Sequence, residues 1–499
     1  VPAGRGGVIL MVRSALAAVL APAGFAWAAC GLLASGLIGC GRGGAVEASG
    51  TGAATSAGQA ASGRTDVPRP DVLFVAVDGL RLEDMTAFGG SLAQTLGYDT
   101  LAEEGTVYVE AFAPSPWPDE ALAAALSGQY AASVAKRMGA EWTPSLAETL
   151  SHDGYRCGLL LGHSQHRPAL MEPPPELLAA APVEAAHSGG SVPGQSVGAD
   201  DPVPGFDVTL LVEGAGSVAG ARADRVAEEA VRWLLSEEGP TFLVATLGDP
   251  RPPHHLYAGL VEAADVPYEG PMTAGLSHAE LLRRRYEFTA EDRQRLRELH
   301  ASEIAMTDKA FRRIAGTFMT RRQTPPVLVV IGLRPAALGE DHRYGLVPSF
   351  EPEALRVPMM IRFPQPAVDG SAMDASAADA LSGDVEIVTS LLDLAPTVLD
   401  SLGFEPRYDI EGRSVFPGAR VDARDVFATT LRGRQGGALI QWGQATSAQL
   451  GPDSLTHFRR SKDGLVFKRT ETPTGAQVDF SEALRQRLAE IGLSSDAKD

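Results

Sequence analysis

Cysteine is nearly absent: the 499 residues contain only Cys30, Cys40 and Cys157. A disulfide framework is excluded, because two of the three lie in the N-terminal leader and Cys157 is left without a partner. Cys157 sits in the apolar segment GYRCGLLLG, where a buried, inert thiol is expected. Basic charge is also short. Lys and Arg number 43 against 62 Asp and Glu, for a formal net charge of −19. Such a surface repels nucleic acid, so no nucleic-acid partner is expected. Hydrophobic residues make up 44 % of the chain, as in ordinary globular proteins, and the length leaves room for more than one domain.

The N-terminus reads as a targeting segment. Met11–Val12–Arg13 supplies a short positive start, followed by the alanine-rich apolar run SALAAVLAPAGFAWAACGLLASGLIGC. Its end, LIGC at 37–40, resembles the bacterial lipobox, which implies a lipoprotein signal over residues 1–40 whose Cys40 is lipidated and becomes the new N-terminus. A plain membrane-spanning anchor is the alternative, since the run is long enough to cross a bilayer. Both place the rest of the chain outside the cytoplasm, with the membrane as a partner. Residues 41–66 are Gly, Ala, Ser and Thr without apolar period, and read as a flexible tether.

From residue 67 the pattern alternates between strands and helices. RPDVLFVAVDGLR (69–81), PTFLVATLGDP (240–250) and PPVLVVIGLRP (325–335) are continuous apolar runs, as in strands buried on both faces. TVYVEAFA (106–113) reads as one alternating strand, and LRVPMMIRFP (355–364) as another. Helices are expected over 223–239, with Val226, Ala230, Trp233 and Leu234 on one face, and over 298–318. In SLLDLAPTVLDSLG (390–403), Asp393 is expected to cap a helix whose first turn holds Pro396. This order implies an α/β domain over 67–420 with a mainly parallel central sheet flanked by helices. The span 166–204 reads as an irregular insertion, and 421–499 as a subdomain of a small antiparallel sheet with one helix.

Eight segments in order carry a family resemblance: RPDVLFVAVDGLR, LAEEGTVYVEAFAPSPW, TPSLAETLSHDGYRCG, FLVATLGDP, HASEIAMTDKAFRRI, ALGEDHRYG, EALRVPMMIRFP and SLLDLAPTVLDSLGFEPRYDIEGRSVFP. Together, over about residues 67–480, the chain resembles the sulfatase family of the alkaline phosphatase superfamily. That resemblance implies the fold of that superfamily. It also implies a nucleophile derived from Cys or Ser, activated by a divalent cation on carboxylates, with basic residues holding the sulfate.

The reactive positions are mostly altered. Asp78 fits the first metal carboxylate, and Gly79 stands where a second is sometimes found. Counting back from Ser127–Gly128 puts Pro118 at the nucleophile position, a residue with no reactive group. A three-residue shift would bring in Ser115 instead. Arg251 replaces the His of the D-P-H motif, Leu333 replaces a metal Asp, and Leu346 replaces the last His of the later motif. The resemblance therefore implies a degenerate sulfatase with no cofactor, acting by binding a protein or glycan or as a scaffold. The alternative is a divergent sulfatase or phosphoesterase, with calcium or magnesium, rebuilt from Asp119, Glu120, Arg251, Arg334, Glu340, Asp341 and His342.

Each of these residues also has a structural reading. Asp119 and Glu120 fit solvated acids at a helix start, Asp341 lies in a charged loop, and Arg251 and Arg334 fit partners for acids of the old pocket. His254–His255 follow two prolines, where metal binding is conceivable.

Overall fold

A computed structural model describes residues 69–131, 133, 145–168, 203–214, 216–217, 220–364, 381–417 and 426–430, with the backbone of four further strands between 437 and 471. The signal segment, Cys40, the tether, most of the 166–204 span and the C-terminal helix lie outside the described residues. Seventeen strands are defined among them. Those of the first part of the chain are β1 (Val72–Gly79), β2 (Thr106–Tyr108), β3 (Ala111–Phe112), β4 (Arg156–Leu161), β5 (Val208–Leu211) and β6 (Thr241–Leu247). Next come β7 (Val327–Pro335), β8 (Ala337–Leu338), β9 (Tyr344–Gly345), β10 (Met359–Arg362), β11 (Gly383–Val385) and β12 (Thr389–Ser390). The last five are β13 (Val426–Thr429), β14 (Gly437–Ile440), β15 (Thr446–Leu450), β16 (Leu455–Arg460) and β17 (Val466–Glu471).

Eight strands form the main sheet in the order β11-β2-β10-β7-β1-β6-β4-β5. It is parallel except for β10, which runs antiparallel to β2 and β7. The mixed α/β architecture with a mostly parallel sheet is the one expected. β1 lies at its centre because every residue of VLFVAVDG is buried. Its side chains alternate between two cores. Val72, Phe74 and Ala76 pack with Leu122, Leu126 and Leu394 on one face, whereas Leu73, Val75 and Val77 pack with Val226, Ile304 and Phe311 on the other. Truncating Phe74 to Ala would cost about 3–5 kcal/mol on this account.

The helix Ala223–Ser236 buries Val226, Ala230 and Leu234 as its periodicity predicts. The helix over 298–318 begins earlier, at Ala290, because Thr289 and Asp292 form a capping box, and it runs to Arg321. TVYVEAFA divides into β2 and β3, which join different sheets. Asp393 is not the side-chain cap. Ser390 is, accepting from Leu392 N, while Asp393 Oδ2 accepts from Ser390 N and its Oδ1 from Arg413 N at 2.8 Å. Cys157 is buried, as read from sequence, and burial pushes its thiol pKa up.

The C-terminal part of the chain forms a five-stranded antiparallel sheet in sequence order, β13 to β17. Val426 and Ala428 of β13 pack with Phe112, Phe350 and Leu355. Thr429 N donates to Pro114 O at 2.8 Å. This contact places the next residue, Thr430, beside the start of the helix Pro118–Ser127.

Candidate functional site

Four neighbouring strands, β7, β1, β6 and β4, end on one edge of the sheet, the edge at which parallel α/β sheets bind ligands. Asp78, the last residue but one of β1, lies there fully buried. The β1–β7 register is regular to Val77↔Gly332, then shifts so that Asp78 faces Arg334 and Leu333 is passed over. Arg334 grips the carboxylate with both arms, Nε to Oδ1 at 2.9 Å and Nη2 to Oδ2 at 3.1 Å. His166, after β4, brings Nε2 to 3.3 Å from Oδ2, with Nδ1 3.0 Å from Thr246 Oγ1. Facing a carboxylate, Nε2 is the protonated nitrogen, so Nδ1 accepts from Thr246.

Burial alone would raise the Asp78 pKa, but the Arg334 charge and then His166 override it and hold the carboxyl well below the usual range. Burial pushes His166 the other way, below an ordinary imidazole, so it stays neutral near pH 7 despite Asp78. Arg251, on the loop after β6, is buried beside this pair. Its Nη2 donates to Gln165 Oε1 at 3.2 Å, while Nε and Nη1 have no hydrogen-bond partner. Burial pushes its pKa down to about 10, opposed by Asp78. Two guanidinium groups thus face one carboxylate, and one of them holds two free buried donors.

A divalent cation does not fit around Asp78. Both carboxylate oxygens are taken by Arg334. Leu333 is buried in the hydrophobic core, and Leu346 lies in another apolar cluster. Position 79 has no room for an acid: Gly79 has φ +99°, and an added Cβ would lie 2.1 Å from Pro250 O. Two like unit charges about 4 Å apart repel by roughly 4 kcal/mol at an effective dielectric of about 20, and a dication beside Arg334 would double that.

The remaining sequence candidates divide into two groups. Pro118 opens the helix Pro118–Ser127, where its missing N–H costs nothing. Asp119 and Glu120 follow in the first turn, but both are buried rather than solvated. Burial is possible because Glu120 has partners: Ser115 Oγ donates to its Oε2 at 2.6 Å and Thr430 Oγ1 to its Oε1 at 3.2 Å. Ser115 also accepts from Trp117 N at 3.2 Å, so its bonds serve the helix start and do not reach Asp78. Glu340, Asp341 and His342 lie on a separate surface turn. Glu340 pairs with Arg81 at 2.8 Å, Asp341 is 89 % exposed, and His342 Nδ1 approaches Arg285 O at 3.2 Å. Asp341 and His342 both have positive φ, 48° and 58°. Of the seven residues of the rebuilt-site alternative, Arg334 bonds Asp78 and Arg251 lies close enough to feel its charge, whereas Glu340, Asp341 and His342 lie on the separate turn.

His166 was missed because it follows a strand in a stretch without period. A second polar cluster was read only in part, since His254–His255 were singled out but His300 and Glu303 were not. Asp249, His254, His255, His300 and Glu303 come together where the loop after β6 meets the long helix Ala290–Arg321. The signal was visible as His300-x-x-Glu303, two ligand types on one helical face. In this cluster Asp249 Oδ2 accepts from Ala223 N at 2.9 Å and Tyr257 OH at 2.8 Å. Glu303 Oε1 accepts from His255 N at 2.7 Å, and its Oε2 is 2.5 Å from His254 Nδ1. Burial raises the Asp249 pKa, whereas Glu303, with His254 against it, is lowered despite burial. Asp249 first, then Glu303, pushes His255 up to about 10.

Comparison with known proteins agrees with this fold. The sulfatase family model matches residues 70–404. The chain belongs to the sulfatase family. Its structure is similar to that of a protein solved in complex with its substrate D-glucosamine-2-N,6-O-disulfate, with TM-score 0.54 and 14 % identity over 86 % of this chain and 100 % of that one. It is also similar to the phosphonate monoester hydrolase of Agrobacterium radiobacter, with TM-score 0.54 and 16 % identity over 85 % and 94 % of the two chains. The phosphonate monoester hydrolase of Silicibacter pomeroyi gives TM-score 0.51 and 18 % identity over 86 % and 96 %. A search of curated proteins finds no match.

Proposed function

We propose that this chain is a catalytically degenerate sulfatase-family protein, exported, lipid-anchored through Cys40, and acting by binding rather than by hydrolysis. The observation that carries the reading is the bidentate Asp78–Arg334 pair, which occupies the remaining family carboxylate. Pro118 at the nucleophile position and Leu333 in the core point the same way. The free Nε and Nη1 of Arg251 favour an oxyanion as the bound group, a sulfate or phosphate ester on a larger partner.

Two experiments test this. Aryl sulfates, phosphate monoesters and phosphonate monoesters are offered with calcium, magnesium or manganese; no turnover above buffer is expected. Turnover that disappears in Asp78→Asn would overturn the reading in favour of the rebuilt hydrolase. For the anchor, the wild type is expected to partition into detergent and Cys40→Ser into the aqueous phase. Membrane retention of Cys40→Ser would leave the spanning-anchor alternative. Among the described residues, no helix is long and apolar enough to cross a membrane.

A further inference from the structure

The second cluster differs from the Asp78 pocket in having carboxylates whose close ion-pair partners, among the described residues, include no arginine or lysine. Asp249 is 1 % exposed and Glu303 is fully buried, and their ion-pair partners are histidines only. His255 Nδ1 lies 3.7 Å from Asp249 Oδ1 and 3.7 Å from Glu303 Oε1. These gaps exceed hydrogen-bond length, and the atom is buried with no hydrogen-bond partner. All three ligand atoms fall within 4.8 Å of one another. Ligands about 2.1 Å from one small cation sit roughly 3.4 Å apart in tetrahedral geometry, so a slight contraction would close the set.

We propose that Asp249, Glu303 and His255 form a binding site for one zinc-class divalent cation, separate from Asp78. The surrounding bonds already orient the three donors, as outer-shell partners do in metal sites. Tyr257 OH and Ala223 N hold Asp249 by Oδ2, leaving Oδ1 toward His255. His254 Nδ1 holds Glu303 by Oε2. Binding displaces the proton that the two carboxylates hold on His255; two carboxylates and the neutral imidazole that results balance a dication, and the mixed nitrogen–oxygen set suits zinc better than calcium or magnesium. The His255 side chain is 37 % exposed, which gives the ion access and leaves a coordination position open to water or ligand.

A neighbouring trio, His254, His300 and Glu303, shares one carboxylate with this site. His300 is fully buried without a hydrogen bond, its Nε2 3.1 Å from Asp84 Oδ2. That trio is the weaker candidate. His254 Nδ1 is already bonded to Glu303 Oε2 at 2.5 Å, and the set has no exposed member through which an ion could enter.

The test is calorimetric titration of zinc chloride into the detergent-solubilised full chain after chelator treatment, with elemental analysis of the product. One zinc per chain is expected, at micromolar affinity or tighter. Affinity should fall at least tenfold in His255→Ala and in Glu303→Gln, and stay within threefold in His300→Ala and Asp78→Asn. His255 is part-exposed, so its variant is expected to melt within a few degrees of the metal-free wild type, which circular dichroism checks. Cobalt(II) in place of zinc should give a visible absorption band lost in the same two variants. Stoichiometry near zero in the folded wild type, or zinc binding that survives His255→Ala, overturns the site. Neither result bears on Asp78, whose role is read from turnover and from the Asp78→Asn variant.

Discussion

Two buried polar clusters sit near the same sheet edge and have opposite charge balance. Around Asp78, one carboxylate faces two guanidinium groups and a neutral histidine. Around Glu303, two carboxylates face histidines with no arginine or lysine bonded to them. The first is closed by its own chain, since Arg334 satisfies both oxygens of Asp78. The second has a histidine nitrogen beyond hydrogen-bond length of both carboxylates, on a side chain that is 37 % exposed. A carboxylate at the ligand-binding edge of an α/β sheet therefore does not by itself mark a metal site; its neighbours decide.

The largest effect should come from breaking the closed cluster. Asp78→Leu leaves Arg334 buried without its carboxylate partner, and a loss of about 3–5 kcal/mol in unfolding free energy is expected. The double variant Asp78→Leu with Arg334→Met removes both charges of the pair and should recover at least half of that loss in denaturant titration. A double variant no more stable than the single would mean that the pair does not close the pocket.

Next in size is Gly79→Asp, which restores an acid beside Asp78. Its positive φ and the contact with Pro250 O should cost about 2–3 kcal/mol, read as a lowered denaturant midpoint. No calcium affinity should be gained.

Acid should act through the same cluster. The folded-state pKa of Asp78 is depressed, so its contribution is present at neutral pH and lost as pH falls below the ordinary carboxylate value. His166 is also depressed, so the unfolded chain takes up its proton first and stability falls as pH drops through about 6.5. Thermal melts between pH 7 and pH 5 should fall with acid, and His166→Gln should flatten that part of the curve. An unchanged slope would mean that His166 is not held neutral.

The smallest effect is expected at the former nucleophile loop. Ser115→Ala removes one donor from buried Glu120, while Thr430 remains. About 1–2 kcal/mol of stability should be lost, measured by chemical denaturation, with no change in ligand or metal binding.

Much of the scaffold was legible from sequence, because local pattern and burial coincide there. The apolar run of β1 demanded cover on both faces, and the periodicity of Ala223–Ser236 named its buried side chains. The site was less legible because its geometry depends on long-range register. A gapless alignment put Leu333 opposite the metal position. The shift after Val77, which turns Arg334 onto Asp78, has no local signature. The acids Asp119 and Glu120 read as solvated because one partner of Glu120, Thr430, arrives from the far end of the chain. Asp249 and Glu303 lie on separate elements, and only the fold brings them to one histidine.

The central claim is that the family metal position at Asp78 is filled by Arg334. It is tested most directly by titrating calcium and magnesium, separately, into wild type and Asp78→Asn. Identical isotherms for the two proteins are predicted, with no binding event that depends on Asp78. Micromolar binding of either ion by wild type, abolished in a folded Asp78→Asn, would contradict it.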